Sequence, residues 1–345
     1  MTIRKFLNRH KFISLGIILA VGVSTILLSY FAYSHFLDYD IAPILKNPKQ
    51  TFVTESAPNS SLSQIKHVFV IVEENKDWSD IYQNPEANYI NHVLLPQGSF
   101  AKNYHNTPEN LSSLHPSEPN YILLEAGRIA FPDHTFTTDN DPSAANSTNS
   151  TDHLSFLLDK NNYSWRVYEE GISGQDCPIT SFGDYAAKHN PFVFFKDISG
   201  NPPNTNSAYC IQHIRPLSEM KKDLSNGDVA NYTFVTPNIM NDMHNGSIKE
   251  GDTWLSQEIP LIMNSQAYKN GGAIFITWDE GNGGSDVNPP IGMIILSPFV
   301  KQNYSNNISY SHASFVKTVE NIFHLNPLLG LAANPTTKDL ADFFK

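Results

Sequence analysis

Five groups of side chains in this sequence have types and settings that suit metal binding or nucleophilic attack. Glu74-Asn75 follows the apolar run 66–72. Asp279-Glu280 follows the run 273–277, and Asp242 and His244 come shortly after the run 231–237. Ser117 stands between prolines in His115-Pro116-Ser117-Glu118-Pro119-Asn120, and His312 opens a late helical segment. Adjacent carboxylates at a buried strand end repel and lose hydration unless a cation or a proton compensates. Oxygen-rich sets suit a hard cation, and His with Asp suits zinc, manganese or iron. A serine hydroxyl is a weak nucleophile until a metal or a base lowers its pKa. Each group also has an ordinary reading. Asp279-Glu280 serves equally well as an acidic turn facing water, Asp242-His244 as a loop ion pair, and Ser117 or His312 as a helix cap.

The elements that would hold these groups follow from the hydrophobic pattern. Short apolar, β-branched runs bounded by turn residues predict strands over 66–72, 164–168, 231–237, 273–277 and 291–296. Helices are expected over 152–159, 214–224, 252–264 and 311–323, with another running from 91 into a loop near 100. Ser117 is placed as the cap of a helix that follows the prolines. Residues 139–151 are rich in Asn, Ser and Thr and read as a loop. Strands alternating with helices predict an α/β three-layer sandwich with a mostly parallel central sheet. Parallel strands end on one edge, so acidic strand ends there converge.

Charge and compartment narrow the function. The chain has 345 residues, with 23 basic and 34 acidic ones. Arg4, Lys5, Arg9 and Lys11 precede residues 12–37, which are almost continuously apolar and long enough to span a bilayer. We expect a signal anchor or signal peptide over 1–37, a Pro-containing stalk over 38–62 and a catalytic domain over 63–345. The body is then exported and tethered to the membrane, or secreted if the signal is cleaved. Its acidic balance argues against a nucleic-acid partner. Cys177 and Cys210 could pair in an oxidising compartment or remain free thiols. Nine Asn-X-Ser/Thr sequons, Asn146 and Asn231 among them, carry glycans only if the host has the machinery.

At these residues the chain resembles the phosphoesterase family of acid phosphatases and phosphatidylcholine-type phospholipases C, within the alkaline-phosphatase-like superfamily. The similar segments are Val72-Glu73-Glu74-Asn75, His115 to Tyr121, His189-Asn190-Pro191-Phe192, Thr236 to His244, Gly251-Asp252-Thr253-Trp254-Leu255, Thr277 to Gly281, and Tyr310-Ser311-His312 running to Glu320. They occur in the family's order and cover about residues 66–325. The resemblance implies that Ser117 is the nucleophile and that Glu74, Asn75, Asp279 and Glu280 surround it as metal ligands. It implies a second set in Asp242, His244 and His312, and gives His115 and His189 a role on the phosphate or the leaving group. The chain carries Asp279-Glu280 where the superfamily often has an Asp-His pair, which leaves one divalent metal or two, of zinc, manganese, iron, calcium or magnesium.

The resemblance implies a metal-dependent hydrolase of phosphoric esters, acting as an acid-phosphatase-like phosphomonoesterase through a phosphoserine on Ser117. Its substrate would be a small phosphate ester or a phospholipid headgroup. A phospholipase C-type phosphodiesterase and an inactive, surface-anchored binding protein of the same fold are the alternatives.

Overall fold

Among the described residues one eight-stranded sheet forms the centre of the fold. The structure, a computed structural model, describes residues 61–282 and 287–345. The expected membrane segment over 12–37 and nearly all of the stalk lie outside the described residues, as does part of the glycine loop after Asn282. Among the described residues no helix is long and apolar enough to cross a membrane. Leu62, the last residue of the expected stalk, is buried in the body.

β1 (His67–Glu73) and β7 (Gly272–Trp278) pair in parallel at the centre. Every residue of β7, and all of β1 after His67, is buried. That is why both read as continuous apolar runs rather than alternating ones. β6 (Tyr232–Thr236) and β4 (Trp165–Glu169) extend the parallel sheet on one side. On the other side β8 (Met293–Leu296) runs antiparallel to β7 and to β2 (Ser99–Ala101), and β9 (Tyr304–Asn306) closes that edge. A two-stranded ribbon joins β3 (Tyr104–His105) to β10 (Tyr310–Ser311).

Helices cover the sheet in two groups. α1 (Ser117–Ala126), α2 (Leu154–Lys160) and α5 (His312–Phe323) pack together. α3 (Leu217–Asn226) and α4 (Ile248–Asn264) form the second group. The arrangement is the α/β sandwich with a mostly parallel sheet that the pattern predicts. Two local differences have clear causes. The segment expected to be helical from 214 begins as the edge strand β5 (Ile214–Pro216), and Pro216 then serves as the N-cap of α3. α4 starts a turn earlier than its apolar stripe, because Ser247 and Glu250 form a capping box. Cys177 and Cys210 form a disulfide with Cα atoms 5.4 Å apart.

Candidate active site

The carboxyl ends of β1 and β7 lie side by side, and their ladder continues one residue past the strands. Asp279 N donates to Glu73 O at 2.9 Å. Glu74 N donates to Asp242 O at 2.7 Å, which ties the loop after β6 to the same point. Backbone bonds alone therefore set Glu74, Asp242 and Asp279 next to one another. Two residues take left-handed backbone here, Asn75 at φ 45° and Met243 at φ 76°. Asn tolerates that region, whereas for Met it is a strained position of the kind that collects at functional sites.

α1 delivers Ser117 to this cluster. Pro116 is the N-cap and Ser117 is the first helical residue, so its hydroxyl is not used for capping, in contrast to the expected placement. Instead Ser117 Oγ donates to Glu74 Oε2 at 3.2 Å. Ser117 is buried, while His115, His244 and Lys188 are only half-buried at the rim. The Asn75 amide sits 2.8 Å from Glu74 Oε2 and 3.0 Å from Asp279 Oδ1, and with its nitrogen turned inward it donates to both. Asp279 Oδ1 also accepts from the backbone N of Asn75 at 3.2 Å and of Glu280 at 2.6 Å.

His189 fills the gap between Glu74 and Asp242. Its Nε2 lies 3.3 Å from Glu74 Oε1 and its Nδ1 lies 3.5 Å from Asp242 Oδ2. The Tyr121 ring stacks on the imidazole at 5.0 Å and 6°. Burial pushes the His189 pKa well down, so the ring is neutral. His244 stands 5.8 Å from His189, ring to ring. One ligand atom from each of Glu74, His189 and His244 falls within a 4.8 Å cluster. On the other flank, Glu280 Oε2 faces His115 Nδ1 at 2.9 Å and accepts from Asn120 Nδ2 at 2.8 Å.

His312 has a different position from the ligands it was expected to join. Its Nε2 donates to the backbone carbonyl of Asp279 at 2.7 Å, and the Tyr104 hydroxyl donates to its Nδ1 at 3.1 Å. Burial pushes its pKa down to about 4, which keeps it neutral in this bridging role. In this geometry it braces Asp279, and both ring nitrogens are engaged. The remaining expected residues, Ser117, Glu74, Asn75, Asp242, Asp279, His189, His115, Glu280 and His244, converge on one edge of the sheet.

Burial sets the charge of this cluster. Burial, and then the neighbouring carboxylates, raise Glu74 and Asp279 well above the usual carboxylate range. Burial raises Asp242 to about 7 and Glu280 to about 8. Glu74 Oε1, Asp242 Oδ2, Asp279 Oδ2 and His189 Nε2 are buried without a hydrogen-bond partner. Such oxygens normally find donors. A set of carboxylate oxygens with a neutral imidazole and no donor is what a divalent cation requires, so the residues present fit a metal site.

The comparisons with known proteins agree with the geometry. The family model described as the Phosphoesterase family matches residues 109–326. The chain belongs to that family. It is 31% identical over 275 residues to a phosphatidylinositol-3-phosphatase of Mycobacterium tuberculosis, with 80% of this chain and 82% of that protein covered. It is 26% identical to an acid phosphatase of Aspergillus fumigatus, over 79% of this chain and 60% of the longer fungal protein. Among solved structures it is similar to a protein in the alkaline phosphatase superfamily from Vibrio parahaemolyticus. That match has a TM-score of 0.53 at 12% identity and covers 89% of this chain and 78% of that one. Murine ectonucleotide pyrophosphatase/phosphodiesterase 5 aligns with a TM-score of 0.52 at 9% identity, over 81% of this chain and all of that one. These structures share the fold. This family member is a phosphoric ester hydrolase.

Some site residues were not singled out from the sequence. Tyr121 carries a signal, since it lies four residues after Ser117 and so on the same face of α1. Tyr104, which holds His312, carries none, because the contact spans 208 positions. Glu118 is buried directly after Ser117. Its Oε2 accepts from Thr138 Oγ1 at 2.9 Å, Asn140 N at 3.0 Å and Asn146 Nδ2 at 3.1 Å, which anchors the 138–146 loop over the site. The Asn146 amide is therefore engaged inside the fold, although it begins a sequon.

Proposed function

We propose that this protein is a metal-dependent phosphomonoesterase that works through a phosphoserine on Ser117. One observation carries the reading: Ser117 Oγ is held against Glu74, at the first turn of a helix, among buried carboxylate oxygens that lack donors. Glu74, Asn75, Asp279 and Glu280 with Ser117 would hold one divalent ion, and Asp242, His189 and His244 a second. Bound there, the metal lowers the serine pKa and offsets phosphoryl charge.

The chain's own residues supply the rest. Glu74 Oε2 orients the hydroxyl and accepts its proton as Oγ attacks phosphorus, so that the Oγ–P bond forms in line with the breaking bond to the departing alcohol. The N-terminal end of α1 favours the negative charge of the phosphoryl oxygens. His115 is fixed through Nδ1 by Glu280, and its free Nε2 is placed to protonate the leaving oxygen. Water then cleaves the Oγ–P bond, releasing phosphate and restoring the Ser117 proton. His312 and Tyr104 keep Asp279 in register throughout.

The relative named phosphatidylinositol-3-phosphatase and those named acid phosphatase support a monoester substrate, either a small molecule or a phospholipid headgroup. The disulfide supports an extracytoplasmic body, with residues 12–37 as its anchor or cleaved signal. The test is hydrolysis of p-nitrophenyl phosphate and of p-nitrophenylphosphorylcholine, with and without divalent metals. We expect turnover of the monoester, dependence on metal, and loss of at least a thousandfold in Ser117→Ala. Preferential turnover of the choline diester would replace this reading with a phospholipase C-type one. No turnover of either would leave a binding protein.

A further inference from the structure

Lys188 occupies a position that the cycle above does not use. It directly precedes His189 in the turn Ala187–His189, and its ammonium pairs with the Asp139 carboxylate. The other Asp139 oxygen accepts from the backbone N of Glu118 at 3.3 Å, in the first turn of α1 beside Ser117. One carboxylate thus bridges a lysine and a helix N–H at the mouth of the site. The loop that carries it is held by Glu118 through Thr138, Asn140 and Asn146.

Lys188 and Asp139 reach both walls of the site, through His189 on one side and the Glu118 N–H beside Ser117 on the other. A second lysine, Lys76, donates from its ammonium to Asn75 O at 3.1 Å and Met243 O at 3.0 Å. Lys76 is tied to backbone carbonyls, whereas Lys188 is held by a carboxylate that is itself 35% exposed.

We propose that Lys188 binds a non-bridging phosphoryl oxygen of the substrate, and that Asp139 is an internal surrogate anion which the substrate displaces. This rests on the phosphomonoesterase reading and names the selection step within it. A phosphate monoester dianion has a charge advantage over a carboxylate for the same donors. A diester monoanion competes with the carboxylate on even terms. The Asp139–Lys188 pair therefore favours monoesters over diesters.

Inorganic phosphate is the probe, titrated calorimetrically into the metal-loaded full-length protein. The same variants are followed by kinetics with both p-nitrophenyl substrates. Lys188→Met should weaken phosphate binding and raise KM for the monoester by about tenfold or more, as for loss of a charge-assisted contact. Asp139→Asn should shift both in the opposite direction by several-fold and raise relative turnover of the diester. Lys188→Arg should stay within a few-fold of wild type, with thermal melts confirming that each variant is folded. A merely structural ion pair would move Lys188→Met and Asp139→Asn in the same direction. That result, or unchanged phosphate affinity in folded variants, overturns the proposal while wild-type monoester turnover preserves the hydrolase reading. Opposed shifts in phosphate affinity without wild-type turnover of the monoester would sustain the Lys188 assignment and refute the phosphomonoesterase reading.

Discussion

Removing metal should make the stability of this protein fall steeply with pH, and adding it back should flatten the curve. Glu280 and Asp242 are raised to about 8 and about 7. The native state therefore keeps these protons to higher pH than the unfolded chain does. Stability from each group is complete below the unfolded carboxyl pKa, near 4, and is lost as pH climbs through the folded value. His312 acts in the opposite sense, but only between about 4 and its unfolded value of 6.5. The clean window therefore runs from about pH 6.5 to 8. There Glu280 contributes about 1.4 kcal/mol per pH unit up to about 8, and Asp242 the same up to about 7. Together these two amount to about 3 kcal/mol, or roughly 6 °C in Tm for a domain of this size, and the raised Glu74 and Asp279 carboxyls add to the fall. A bound cation takes only the ionised carboxylates, so the metal-saturated protein lacks this slope. The assay is thermal unfolding at pH 6.5, 7.2 and 8.0, in chelator and in saturating zinc, manganese, calcium or magnesium. The gap between the two curves should widen with pH by at least that amount, and Glu280→Gln should remove about 2 kcal/mol of the widening. Parallel curves, or no stabilisation by any cation at pH 8, would refute the argument that these carboxylates form a metal site.

Three further perturbations test how the site is held. Tyr121→Leu removes the ring stacked on His189 and should lower kcat about 10- to 100-fold, while Tyr121→Phe keeps the stack and should retain most activity; equal losses in both would mean that the hydroxyl is the active part. Gly251→Ala places a Cβ 2.5 Å from Met243 Cγ and 3.0 Å from Asn241 O, so it should destabilise by about 1–3 kcal/mol and reduce turnover through Asp242 and His244, as read by paired melting and kinetics. Replacing Cys177 and Cys210 together by Ala should cost about 4 kcal/mol, from a closed loop of sequence separation 33, and lower Tm without changing kcat for p-nitrophenyl phosphate.

The parts of the fold legible in the sequence are those where local pattern and tertiary role coincide. β1 and β7 are buried on both faces, so their composition alone marks them as central. The acidic residues after them could be placed on one edge because parallel strands end together. Edge structure was less legible. β5 is three residues long and ends at a proline, so its helical neighbour dominated the pattern. Among single residues, Ser117 in isolation reads as a cap, and only its flanking motif pointed to a nucleophile; the Glu74 contact 43 positions away is invisible locally. His312 illustrates the opposite limit. Its place at the start of α5 is legible, but whether its nitrogens face a metal or a carbonyl is decided by Tyr104 and by the Asp279 backbone, both far off in sequence.

The same geometry sets the proposed function of this edge against its stability. Met243 in left-handed backbone costs roughly 1–3 kcal/mol, and the raised carboxylates add to that cost in the absence of metal. A fold tolerates such a loss only where the surrounding structure fixes it. Here Glu74 N is bonded to Asp242 O, Asp279 N to Glu73 O, and Gly251 lets α4 close directly on Met243. Relieving the strain would let Asp242 swing away from Glu74 and His189. The oxygens without donors would then gain water instead of facing a common centre. Local stability and the proposed gathering of a cation beside Ser117 therefore oppose each other, and the backbone bonds across β1, β6 and β7 hold the cluster together.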